Sequence, residues 1–186
     1  MEKIKLKAPA DKETLKKLKV GDRVLLSGII YTARDAAHER MCREFEQTGK
    51  FPIDLENQMI YYAGPCPAKP GEVIGSCGPT TAGRMDAYTP LLLEHGLGAM
   101  IGKGARNTQV VEAIKRTGAV YFGATGGAGA LIAESIRASE VVAYDDLGAE
   151  AIRRLEVEDF PVVVVIDSDG NNLYETGREN YLKTKR

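Results

Sequence analysis

Hydroxyl, guanidinium and ammonium groups recur in this sequence beside glycine or proline, at the ends of apolar runs. In "GPTTAGRMD", Thr80 and Thr81 follow Gly-Pro, and Arg84 stands about one turn further on. If the threonines open a helix, its unpaired N–H groups and the positive end of its dipole point at whatever fills the loop. A carboxylate suits that place, and Arg84 adds a fork able to grip the same anion at two points. The plainer alternative makes Thr80 or Thr81 an ordinary cap and leaves Arg84 on a solvated face.

Three other loops carry similar chemistry. In "YTARDAAHER", Arg34 and Asp35 begin a helix. Arginine opposes the helix dipole there, which hints at a compensating anion. His38 lies one turn from Asp35, and the simplest expectation is that the two pair. In "MIGKGARN", Lys103 stands between glycines just past an apolar strand, a position where open α/β sheets bind ligands; the alternative is an exposed lysine in a turn. "GATGGAGA" has the look of a phosphate loop but lacks the G-x-G-x-x-G order, so a nucleotide-binding module competes with glycines packed where a helix crosses a sheet.

These loops need a scaffold, and the chain alternates accordingly. "KIKLKAP" and "DRVLLSGIIYTA" read as strands, separated by a short helix "KETLKKLKV" that Asp11 caps and Gly21 ends. "RDAAHERMCREFEQTGK" takes helical spacing with Gly49 as its stop, "FPIDLENQ" reads as a loop and "MIYYAG" as a strand. "EVIGSCG" is expected to be a strand, and "TTAGRMDAYTPLLLEHG" one helix bent or broken at Pro90. "LGAMIGKG" and "AVYFGAT" are strands around the helix "NTQVVEAIKRTG", with Asn107 as cap and Gly118 beyond the end. The same rhythm assigns "GALIAESIRAS" and "AEAIRRLEV" to helices, and "EVVAYDD" and "FPVVVVIDSDG" to strands. The expectation is one α/β domain over residues 1–186, with a mixed, largely parallel sheet covered by helices.

Composition narrows the function classes. With 44% hydrophobic and 27% charged residues the chain can bury a core, and a net charge of -1 supplies no broad positive field for nucleic acid. No apolar run has signal-peptide or membrane-spanning length, so a cytoplasmic protein away from membranes is expected. Cys42, Cys66 and Cys77 are widely spaced, and His38 and His95 form no ligand pair with them. Neither a disulfide framework nor a private metal site is expected.

Taken together, "GIIYTARDAAHERM", "GPTTAGRMDAYTP", "MIGKG" and "GATGGAGAL" resemble the C-terminal part of class I, iron-sulfur fumarases and the β subunits of two-chain fumarate and L-tartrate dehydratases. The resemblance spans most of the chain. It implies a swivelling β/β/α domain that closes over a 4Fe-4S cluster bound by three thiolates of a partner α subunit, leaving no metal ligand in this chain. By the same resemblance, Thr80 is the base at carbon in the reversible hydration of fumarate to (S)-malate. Arg34, Arg84 and Lys103 clamp the substrate carboxylates, and Thr81 hydrogen-bonds or orients the substrate; Cys77, just before "GPTT", reads as a small buried residue rather than a ligand. The implied assembly is a hetero-oligomer, such as a dimer of α/β pairs, active only when the partner is present. L-tartrate is the rival substrate.

Overall fold

The computed structural model describes residues 3–184. Its strands are β1 (Ile4–Ala8), β2 (Arg23–Thr32), β3 (Met59–Tyr61), β4 (Ala99–Gly102), β5 (Val120–Gly123), β6 (Ile136–Ala143) and β7 (Ile152–Ile166). The helices are α1 (Lys12–Leu15), α2 (Asp35–Thr48), α3 (Thr89–Glu94), α4 (Thr108–Thr117), α5 (Gly129–Ala133) and α6 (Leu173–Thr184). The sheet runs in the order β1-β2-β3-β4-β5-β7-β6. Neighbours from β1 through β5 are parallel, while β7 is antiparallel to β2, β5 and β6. A mixed α/β sheet is therefore present, as the alternation predicts.

The long strand β7 gives this sheet its shape. It pairs with β2 from Arg23↔Val163 to Thr32↔Arg153, and with β5 through Phe122↔Val164. Strands β2, β3, β4, β5 and β7 thus close on themselves. Because side chains alternate across a strand, closure sorts the apolar residues into two sets. Leu26, Ile30, Tyr61, Ile101, Phe122 and Phe160 belong to one buried cluster, shared among the strands of the ring. Their neighbours Ile60, Met100 and Tyr121 belong to a second cluster with Met41 of α2, Leu92 of α3 and Ile114 of α4. Helices α2, α3 and α4 cover this second face.

The caps at α2 and α4 follow the sequence closely. Asn107 accepts the Val110 N–H at 2.9 Å, and Gly118 and Gly49 take left-handed φ values of 74° and 68° after the last turns. Helix α1 is shorter than predicted, ending at Leu15.

Four assignments are corrected. Residues 72–78 form no strand; the Cys66 N–H bonds to the Ser76 carbonyl at 2.9 Å and the Gly75 N–H returns to Cys66 at 3.2 Å, which makes a loop of its own. The expected helix after Thr80 is instead a 3₁₀ turn, Ala82–Met85, followed by α3, with Pro90 near the start of α3, where a missing N–H costs nothing. "GALIAESIRAS" is helical only over Gly129–Ala133 before β6 begins. In "AEAIRRLEV" the residues from Ile152 onward start β7, because Leu155 and Val157 alternate into the first cluster and pair with β2 and β6. Among the described residues no helix is long and apolar enough to cross a membrane.

Candidate active site

Parallel strands place the loops after their carboxyl ends on one rim, and four of the singled-out segments meet there. Arg34 follows β2, Tyr62 and Gly64 follow β3, Lys103 follows β4, and Gly126 lies after β5. The Thr80–Arg84 segment is laced between the loops after β3 and β4. Its Thr80 N–H donates to the Tyr62 carbonyl at 2.6 Å, the Lys103 N–H donates to the Thr80 carbonyl at 3.3 Å, and the Ala82 N–H donates to the Lys103 carbonyl at 2.8 Å. Thr81 and Lys103 thereby form a parallel bridge.

This lacing corrects the expected anion site at a helix start. The amides of Thr80 and Ala82 are already taken by strand-loop carbonyls, and the helical turn that follows has only four residues with no side-chain cap. Thr80 is half-buried and Thr81 exposed. Positive charge at this rim comes from side chains.

Arg34 is the residue before α2, with extended φ and ψ of −118° and −161° and no capping bond from its side chain. Its Nη2 lies 3.7 Å from Asp35 Oδ2, and its Nε lies 3.3 Å from Glu150 Oε1, within ion-pair range but outside hydrogen-bond geometry. Arg84 Nε is 2.8 Å from Asp35 Oδ1. One carboxylate therefore joins Arg34 and Arg84, and the compensating anion inferred from the sequence is Asp35 with Glu150. Arg34 Nε and Asp35 Oδ2 are buried without hydrogen-bond partners. A Cβ on Gly64 would stand 2.9 Å from both Cδ and Nη1 of Arg34, so only glycine leaves room for this guanidinium.

Asp35 does not pair with His38. The His38 Nδ1–H donates to the Arg34 carbonyl at 2.8 Å, and the ring meets Tyr62 edge-on at 5.3 Å. Burial pushes the His38 pKa down to about 4, against the opposing pull of the Arg34 carbonyl, so the imidazole is neutral at ordinary pH. Lys103 is exposed, and its ammonium reaches the loop after β5: a Cβ on Gly126 would lie 3.7 Å from Nζ. Where that loop enters α5, the Gly129 carbonyl accepts the Cys77 N–H at 3.1 Å, and the helix has five residues. These contacts match glycine packing beside the site.

The structure thus links Arg34 to Arg84 through a side chain, and Thr80 and Thr81 to Lys103 through the backbone. Three cavities among the described residues, of about 550, 500 and 200 Å³, are lined by other residues. The rim is open. Two buried polar residues that the sequence reading passed over lie beneath it: Asp86 and Arg106 form an ion pair at 2.6 Å with side chains 9% and 0% exposed. Asp86 closes the "GRMD" motif and Arg106 follows "GKG", but only a long-range contact reveals that they meet.

An iron-sulfur cluster needs thiolates. Burial pushes the thiol of Cys77 up to about 12 and that of Cys42 up to about 11, so both are protonated near neutrality. Among the described residues no three His, Cys, Asp or Glu side chains group to hold a metal. The described residues supply no group of ligands for such a cluster.

The fold and rim define a mixed α/β domain that presents cationic loops at one end of its parallel strands. The chain belongs to the fumarase C-terminus family, whose sequence profile matches residues 1–177. It is 42% identical over 177 residues to fumarate hydratase 2 of Leishmania major, covering 92% of this chain and 31% of that protein. It is 43% identical over 159 residues to the anaerobic class I fumarate hydratase of Escherichia coli (strain K12), covering 84% of this chain and 29% of that protein. The chain spans about a third of the length of these relatives. A protein of Methanocaldococcus jannaschii with the provisional name L(+)-tartrate dehydratase subunit beta is 42% identical over 170 residues, covering 88% of this chain and 87% of its own length.

Proposed function

We propose that this chain is the β part of a two-chain hydro-lyase that hydrates fumarate reversibly to (S)-malate. The observation that carries the reading is Asp35, which holds Arg34 and Arg84 within ion-pair distance beside the Thr80–Thr81 turn. Two guanidinium groups sharing one carboxylate leave donors for another anion, and a dicarboxylate is such an anion.

In this reading Arg34, Arg84 and Lys103 bind the carboxylates and fix the carbon to be deprotonated, with Thr81 orienting the substrate. In the dehydration of malate Thr80 takes the proton from that carbon, and in the hydration of fumarate it returns it. The resulting aci-carboxylate carries extra negative charge, and the same cations stabilise it more strongly than the bound substrate. A threonine hydroxyl is a weak acid, so Thr80 relies on those cations to hold its conjugate base; its own amide is committed to Tyr62.

The described residues form no group of metal ligands, and in this proposal a partner α subunit holds the 4Fe-4S cluster together with the acid that protonates the departing hydroxyl. Exposure of Thr81, Arg84 and Lys103 suits a site whose second wall arrives when the domain swings onto its partner. The complex is then cytoplasmic and hetero-oligomeric. L-tartrate is the second substrate candidate, favoured by the M. jannaschii relative that this chain covers over 87% of its length.

The test is anaerobic assembly of this chain with its α partner, followed by a panel of fumarate, (S)-malate and L-tartrate. Turnover of fumarate by the pair, and none by this chain alone, is the expected result. Turnover of L-tartrate alone supports the second substrate, and a pair inert toward all three contradicts the reading.

A further inference from the structure

Beneath the rim lies a charged cluster to which the chemistry above gives no task. Arg106 Nε donates to Asp86 Oδ1 at 2.6 Å. Its Nη2 donates to Thr89 Oγ1 at 2.8 Å and to the Tyr62 hydroxyl at 3.3 Å. The guanidinium carbon stands 4.9 Å from the Tyr121 ring centre and 5.3 Å from that of Tyr62. The second oxygen of Asp86 accepts the Asn107 N–H at 2.7 Å.

A buried ion pair of this kind is a poor source of stability, because desolvating both charges offsets their attraction. Apolar side chains of similar size would fill the space as well. Directed bonds between separate segments are what they would not supply, and these bonds end on the segments that carry the site. Asp86 terminates the turn that begins just after Thr81. Tyr62 presents the carbonyl that receives the Thr80 N–H, and Arg106 is three residues past Lys103.

We infer that Asp86 and Arg106 are positioning residues, which set the Thr80–Arg84 turn against the Lys103 loop and so fix the spacing of base and cations. The inference rests on the hydro-lyase reading for its kinetic consequence, while the loop setting is a property of this chain alone.

The test compares the wild-type chain with the double variant Asp86→Leu/Arg106→Met, each assembled with the α partner. The expected result is a thermal midpoint close to wild type, kcat lower by about a hundredfold, the size of effect that misplacement by about 1 Å produces, and faster hydrogen exchange at the amides of Thr80, Ala82 and Lys103. Arg106→Lys serves where the double variant melts early. It keeps a charge for Asp86 but cannot span Thr89 and Tyr62 together, and it is expected to lower kcat with the midpoint held. Wild-type kcat, or unchanged exchange at those amides, in a folded variant overturns the inference. If the wild-type pair proves inert toward dicarboxylates, the hydro-lyase reading fails and the exchange measurement still decides whether the pair sets the loops.

Discussion

Arg84 Nε lies 2.8 Å from one oxygen of Asp35, and Arg34 Nη2 lies 3.7 Å from the other. Arg84 is 54% exposed, so the pair contributes at most about 1 kcal/mol to stability. Its value is geometric. Asp35→Asn is expected to move the thermal midpoint little while raising KM for the dicarboxylate several-fold, because Arg84 loses its anchor. An unchanged KM in steady-state assays counts against a clamp.

Arg84→Lys keeps the charge and removes the planar fork. Weaker substrate capture is expected, seen as a higher KM and lower kcat/KM, since an ammonium cannot reproduce a two-point grip. Kinetics identical to wild type would place Arg84 outside the site.

Gly64→Ala puts a methyl group 2.9 Å from two atoms of Arg34 and 3.2 Å from the Ala149 carbonyl. The overpacking is expected to cost about 1 to 3 kcal/mol in denaturant titrations, with a loss of turnover as the guanidinium is displaced. Retained activity would show that Arg34 need not occupy this position.

His38 sets an acid limit on stability. Its pKa falls from 6.5 unfolded to about 4 folded, mainly through burial, so between these values the unfolded chain binds more protons. Stability therefore rises with pH across this window and is lost as pH falls through it. The full span corresponds to roughly 3 kcal/mol. Urea titrations from pH 7 to pH 4 should show this loss, and His38→Phe should flatten it; a wild-type curve without slope contradicts the assignment.

Much of the scaffold is legible because local signals decide it. Asn107 and Gly118 bound α4, Gly49 stops α2, and the apolar runs before Arg34 and Lys103 are strands. The loops that carry Thr80, Arg34 and Lys103 are marked by glycines and prolines that interrupt those runs. What escaped depends on distant partners. Ile152–Val157 reads as helical by composition, yet β2 and β6 flank it and impose a strand. The turn after Thr80 is held by Tyr62 and Lys103, which no local pattern announces. Helical spacing offers Asp35 to His38, but Arg84, 49 positions along the chain (84 minus 35), takes it. The Asp86–Arg106 pair is hidden for the same reason.

The most direct measurement is fumarate hydration by Thr80→Ala assembled with the wild-type α partner. The variant is expected to form the complex with a thermal midpoint near that of wild type and to lose turnover by about a hundredfold to ten-thousandfold, the usual reach of a positioned base. Hydration at close to the wild-type rate would contradict the assignment of Thr80 as the residue that removes the proton.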